Sequence, residues 1–143
     1  MGMRRIRLTR RGVAALAALL LLGFAALRLS GPKTGELIGS FDMSHYCLES
    51  LNGEHLCGNS AYGCKGDRLI PGKSLAVPAS VLEGYPVGTR VIAVYPDGRQ
   101  ARLIIHDTGR ALEGLGRIDL AVKTHDTALQ MGVVEGVMLY MEK

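Results

Sequence analysis

The chain has 143 residues, with 17 Lys and Arg against 13 Asp and Glu, a net charge of +4. Six of the basic residues (Arg4, Arg5, Arg7, Arg10, Arg11, Arg28) precede residue 31, so residues 31–143 hold 11 basic and 13 acidic side chains and a charge of −2. The basic balance therefore belongs to the N-terminus, which removes the electrostatic footprint of a nucleic-acid binder, and the length admits one modest domain.

Residues 1–30 pair that basic cluster with an uncharged apolar run, Val13 to Leu27. A basic segment followed by an apolar one is the grammar of an export signal. The run is short for a spanning helix, which takes ~20 apolar residues, but snorkelling arginines extend its reach. No A-x-A cleavage site precedes Ser30-Gly31, so an uncleaved signal anchor through residues 12–29 is favoured over a cleaved leader. The flanking arginines argue against a buried core helix. Either export reading leaves the positive end in the cytoplasm and the remainder outside it. Residues 31–36, containing Gly31-Pro32-Lys33-Thr34-Gly35, read as a linker, and residues 37–143 as the domain.

Ile38 to Tyr46 is expected to form a first strand. A long polar loop through Gly72 follows and holds the three cysteines, Cys47, Cys57 and Cys64. One disulfide, Cys57–Cys64 or Cys47–Cys57, suits an oxidising compartment. Zinc is disfavoured, because C-x9-C-x6-C contains no close pair and a fourth ligand, His45 or His55, would be arbitrary. Ser74 to Val77 reads as a short strand ended by Pro78. Pro86-Val87-Gly88 is a turn into Thr89 to Tyr95, whose two faces are both apolar. Pro96-Asp97-Gly98 signals a hairpin returning through Arg99 to His106. Arg117 to Val122 is a further strand. Thr124 suits a helix N-cap, with Ala128, Leu129 and Met131 as the apolar face and Gly132 as the stop. Val137 to Met141 closes the chain. Five or six short strands, one short helix and 19 glycines describe a small β-barrel, and no internal repeat is visible.

Chemistry concentrates in Leu103 to Leu120. An apolar run delivers His106 and Asp107 to its end, Thr108-Gly109 breaks it, and a glycine-containing loop leads to a second run that carries Asp119. Two carboxylates on rigid elements joined by a short loop form a candidate catalytic pair. Each also has a plainer reading: Asp107 as a turn cap, and Asp119 as one end of an ion pair with Arg117 or Arg110. His106 would face away from Asp107, and Arg90 would staple the barrel.

Together, P-x-G-T-R at Pro86 to Arg90, D-T-G at Asp107 to Gly109, G-R-I-D-L at Gly116 to Leu120 and A-x-x-x-G at Ala128 to Gly132 resemble the three-aspartate domain of the lytic transglycosylase A type and the related barrel of rare lipoprotein A. The resemblance covers roughly residues 74–141, and Ser44-His45-Tyr46-Cys47 is similar to the family's first strand. It implies a mainly β fold: a six-stranded double-psi β-barrel with one or two short helices, preceded by the N-terminal hydrophobic helix. It also implies a lytic transglycosylase acting on peptidoglycan glycan strands; the leader places it outside the cytoplasm and at the membrane, and it is expected to be monomeric, without metal or cofactor. The family's first aspartate falls where this chain reads Ala76-Val77-Pro78, so only two of the three carry over.

In such an enzyme the muramic acid 6-hydroxyl attacks the anomeric carbon, so one carboxyl of raised pKa can serve as acid and then base. Asp107 is expected in that role, with Asp119 as the neighbour that raises its pKa or stabilises the oxocarbenium-like transition state. Thr108, Gly109, Arg90, Arg117 and Tyr46 are the expected substrate contacts. Tyr62 and Tyr85 could stack on sugar rings, though the chain has no Trp. A non-catalytic wall-binding module is the competing function. An aspartic protease would need a second D-T-G or a symmetric dimer.

Overall fold

The computed structural model describes residues 34–57 and 60–143. The expected anchor or leader at 1–30 lies outside the described residues. Among the described residues no helix is long and apolar enough to cross a membrane.

Among the described residues eight strands and two helices form, the strands in chain order being β1 (Thr34–Cys47), β2 (Ser50–Leu51), β3 (Glu54–His55), β4 (Ser74–Val77), β5 (Arg90–Val94), β6 (Gln100–Thr108), β7 (Arg117–Val122) and β8 (Val134–Glu142). The helices, α1 (Ala79–Gly84) and α2 (His125–Met131), follow β4 and β7, and a 3-10 turn spans Arg110–Leu112. Strand β1 begins four residues before Ile38, so Thr34 to Glu36, expected in the linker, are strand. The cause is a backbone partner: Thr34 pairs with Glu142 at the far end of β8, with bulges along the way. Strand β6 runs through Asp107 and Thr108 rather than breaking before Thr108, because Ala76 and Val77 offer it a parallel ladder there.

Six strands close a barrel in the order β1-β7-β4-β6-β5-β8, while β2 and β3 form a separate hairpin. The β1–β7 and β4–β6 pairs are parallel and the other four antiparallel. This ring has a hidden twofold. Exchanging β1, β4 and β5 with β6, β7 and β8 returns the same order and the same directions. The helices obey it too, since α1 follows β4 as α2 follows β7. Two interlocked ββαβ units of this kind make a double-psi barrel, and the Leu-Ala-Val of 75–77 and of 120–122 is what the two units share in sequence. The repeat is one of topology, with too little shared sequence to show along the chain.

Met43, Leu75, Val77, Val91, Ala93, Leu103, Ile105, Ile118, Leu120, Val137 and Leu139 fill the lumen and are essentially inaccessible. Truncating such a side chain to Ala removes apolar contacts and leaves a cavity, at a cost of ~2–5 kcal/mol. A second cluster, Tyr46, Leu69, Ala76, Leu112 and Ala121, lies on the outer face of the wall. Strand β5 is covered on both faces, as its pattern predicts, with Val91, Ile92 and Ala93 all at 0% exposure.

Pro78 both ends β4 and stands at the N-cap of α1, a helix with no buried residue and no side-chain cap, which explains why no pattern announced it. Helix α2 starts as expected, the Thr124 hydroxyl accepting the Thr127 N–H, and stops at Gly132 with φ 58°. Its apolar face is smaller than expected: Ala128 is buried against Cys47 and Val122, while Leu129 is 67% and Met131 44% exposed. Seven residues make two turns, and only one small side chain meets the wall.

Candidate functional site

The site is one row of four residues across four neighbouring strands. Ser44 of β1 pairs with Asp119 of β7, Asp119 with Ala76 of β4, and Ala76 with Asp107 of β6. Paired residues point to the same side of a sheet, so both carboxylates and the Ser44 hydroxyl share the outer face. The carboxylates stand two strands apart, about 10 Å between Cα atoms by ordinary strand spacing, and the small Ala76 between them leaves the gap open.

Regular alternation would not bring this about. Leu103 and Ile105 point into the lumen, so Asp107 should follow them inward. The β4–β6 register slips by one residue between Leu75–Ile105 and Ala76–Asp107, making His106 the extra residue of a bulge. A bulge reverses the side-chain phase beyond it, and this one turns Asp107 outward. His106 is anchored away from the carboxylates, its Nδ1 2.7 Å from the Oγ of the fully buried Ser74.

Tyr46, Ala76, Asp107, Thr108, Gly109, Ala111, Leu112 and Asp119 line a cavity of about 210 Å³. The two expected catalytic residues and three expected contacts therefore meet there. The Asp107 Oδ1 accepts the Thr108 N–H at 2.9 Å, the local capping its plainer reading anticipates. The Thr108 hydroxyl donates to the Val77 carbonyl at 2.8 Å and so staples β6 to β4 rather than facing a ligand. Arg90 is elsewhere, in a surface hollow with Lys73, Arg102 and Glu142, because β5 lies on the far side of β6. Tyr62 is 57% exposed and Tyr85 packs on the lumen cluster, so Tyr46 is the tyrosine at the cavity. Ser44, Ala76, Ala111 and Leu112 carry no signal of the site in the sequence, since their places depend on long-range register and on the 3-10 turn.

Burial pushes the Asp119 carboxyl up to about 6, while the Ser44 hydroxyl, His45 and Arg117 pull the other way. No ion pair to Arg117 or Arg110 forms among the described residues, where Arg99–Asp97 and Arg102–Glu142 are the salt bridges. Arg117, two residues along β7, acts on Asp119 by field, and its Nε is buried without a partner. The Tyr46 phenol is held far above its ordinary value, first by burial and then by the charges of Asp107 and Asp119. The Tyr46 hydroxyl and the Asp119 Oδ1 are themselves buried without hydrogen-bond partners. Buried polar atoms rarely go unpaired, and here one unmet hydroxyl and one unmet carboxylate oxygen belong to residues that line the cavity. A larger hollow of about 620 Å³, lined by Ala79, Ser80, Glu83, Thr108, Arg110 and Glu113, adjoins the cavity at Thr108.

No protein-family model and no curated protein sequence matches the chain. Among solved structures it is similar to the Streptomyces papain inhibitor, at 20% identity and a TM-score of 0.52, over 79% of this chain and all of that one. It is also similar to Escherichia coli MltA with bound chitohexaose (16% identity, TM-score 0.47, 63% of this chain and 30% of that one). A third is the membrane-bound lytic murein transglycosylase of Agrobacterium tumefaciens (20%, 0.44, 56% and 25%). The chain thus spans under a third of either transglycosylase, and the likeness to the inhibitor, over 79% of this chain, speaks to the fold alone. Fold and site together define a small double-psi β-barrel with a two-carboxylate cavity on its wall.

Proposed function

We propose that the barrel cleaves peptidoglycan glycan strands as a lytic transglycosylase, with the roles of the two aspartates exchanged from those expected. Asp119, raised to about 6 by burial, is the acid that protonates the glycosidic oxygen and the base that then takes the proton of the attacking 6-hydroxyl. Asp107, turned into the same cavity by the bulge, stabilises the oxocarbenium-like transition state. Tyr46 donates its unpartnered hydroxyl to the sugar. A cavity of about 210 Å³ is smaller than the ~300 Å³ at which pockets begin to enclose a whole ligand. It takes in the reacting group, and the neighbouring hollow beyond Thr108 receives the adjoining sugar. The glycan lies outside the cytoplasm, where the basic and apolar leader would deliver the domain and hold it to the membrane.

The observation that carries this reading is the Asp119 carboxyl, partly buried, outside any salt bridge and in one cavity with Asp107. The test is digestion of purified sacculi with mass analysis. Anhydro-muropeptides should be released by the wild type and not by a folded Asp119→Asn variant. Ala76-Val77-Pro78, lacking the family's first carboxylate, favours a second reading, a wall-binding barrel without turnover. That reading predicts sacculus binding with no product.

A further inference from the structure

The three cysteines separate into a pair and a single. Cys47, fully buried at the end of β1, and Cys57, just past the β2–β3 hairpin, bring their Sγ atoms to 2.7 Å, and the Cys47 N–H donates to the Cys57 Sγ at 3.1 Å. His125, the first residue of α2, lies against both, its Nδ1 3.6 Å from the Cys57 Sγ and 3.9 Å from that of Cys47. Cys64 stands apart and exposed, its thiol 3.9 Å from the His106 carbonyl.

Two chemistries compete for two thiols and an imidazole: a metal ion, since these three ligand atoms lie within 4.8 Å of one another, and a disulfide. The sulfur separation decides between them. With Zn–S bonds of ~2.3 Å, sulfurs 2.7 Å apart would close the S–Zn–S angle to about 70°, far from tetrahedral. Burial, the first cause, raises the Cys57 thiol, which also disfavours a standing thiolate ligand.

We propose that Cys47 and Cys57 are a disulfide-forming pair, leaving Cys64 as the free thiol and making His125 the proton acceptor beside the bond. The half-buried Cys57 is the accessible partner. Its proton passes to the His125 Nδ1 and its thiolate attacks one sulfur of a small disulfide oxidant, releasing one thiolate. Cys47 then loses its proton and attacks the Cys57 sulfur, releasing the second. Two protein thiols are oxidised, two electrons reduce the oxidant, and the two protons leave on its two thiols. The bond closes a loop of nine intervening residues and ties the hairpin to the β1–β7 seam. It also holds the wall of the carboxylate cavity, because Cys57 packs on the cluster of Tyr46, Ala76 and Leu112.

The test uses the full chain incubated with oxidised glutathione, then alkylated under denaturing conditions and weighed. One alkyl adduct, or one glutathione in its place on the exposed Cys64, is expected, giving three alkyl adducts after reduction. In a Cys64→Ser chain, a protease cutting after Glu49 and Glu54 leaves Cys47 and Cys57 on separate peptides. These should remain joined until a reductant is added. Reduction should lower the melting temperature of that variant by roughly 10 °C, and should not move a Cys57→Ser, Cys64→Ser chain. Replacing His125 with Ala should slow the oxidation at least several-fold while leaving its end point unchanged. Three adducts after oxidation, unjoined peptides in the Cys64→Ser chain, or one equivalent of tightly bound zinc on the reduced chain lost with His125→Ala would each overturn the proposal.

Discussion

Tyr46 and Asp107 occupy equivalent positions in the two units of the barrel: Tyr46 pairs with Ala121 and Asp107 with Ala76, each alanine the centre of a Leu-Ala-Val. The repeat that builds the wall has thus set a phenol and a carboxylate around one axis, beside Asp119. Removing the phenol's hydroxyl tests what it is for. Tyr46→Phe deletes a buried group that has no partner, so stability should hold or rise by up to ~1 kcal/mol. Turnover on sacculi should fall about tenfold or more, the loss of one hydrogen bond to the transition state. Undiminished product release in a variant with an unchanged melting curve would take Tyr46 out of the chemistry.

Activity should decline as pH rises through about 6, where Asp119 loses the proton it must donate. The measurement is initial rate of muropeptide release across pH 4.5 to 8 at saturating sacculi. A rate that is flat through that range would leave Asp119 without the acid role.

Stability should follow the same carboxyl in the opposite sense to an ion-paired aspartate. The folded value of about 6 lies above the ordinary aspartate value of 3.8. Between the two, the folded state therefore binds more proton than the unfolded one, and stability falls as pH rises. The cost of burying the charge is complete above pH 6 and relieved on acidification toward pH 4. At full burial such a shift corresponds to about 3 kcal/mol; partial solvent access reduces it to the order of 1 kcal/mol. Asp119→Asn should accordingly be more stable than the wild type at pH 7.5, with the gap closing near pH 4. Denaturant midpoints at the two pH values check this.

A methyl group at Gly63 would run into the His106 carbonyl of the bulge, backbone against backbone. Gly63→Ala should therefore destabilise by ~2 kcal/mol or more and, by shifting the bulge, disturb Asp107. A lowered melting temperature together with reduced turnover is the expected pair of results. An unaltered melt would show that the loop does not press on the bulge.

Arg90 lies in a hollow with Lys73 and Glu142, away from both carboxylates. Arg90→Ala should leave turnover within about twofold of wild type, and a large loss would relocate the substrate path.

Local chemistry in the sequence revealed the strands whose alternation is strong. Arg117 to Val122 is bounded as expected, and Pro96-Asp97-Gly98 makes its hairpin, with the Tyr95 N–H donating to the Arg99 carbonyl. What stayed hidden depends on partners distant in the chain. The early start of β1 follows from β8, the outward turn of Asp107 from a register slip against β4, and the approach of His125 to the cysteines from the parallel β1–β7 pairing. The two aspartates were legible because polar side chains stand out in apolar runs. The partial burial of Asp119 was not legible, because it is a property of the assembled wall. The twofold was invisible because only three residues in a row repeat.

Around the ring, strands of the first unit (β1, β4, β5) alternate without exception with strands of the second (β6, β7, β8). Every ladder in the wall is therefore a suture between the two units, and neither contains a single barrel ladder of its own. A chain cut before Gln100 has nothing to zip against, so two fragments should regain the barrel only when mixed. The intact chain should assemble in one late, all-or-none step, slowed by the long separations that every suture except the β5–β6 hairpin must bridge.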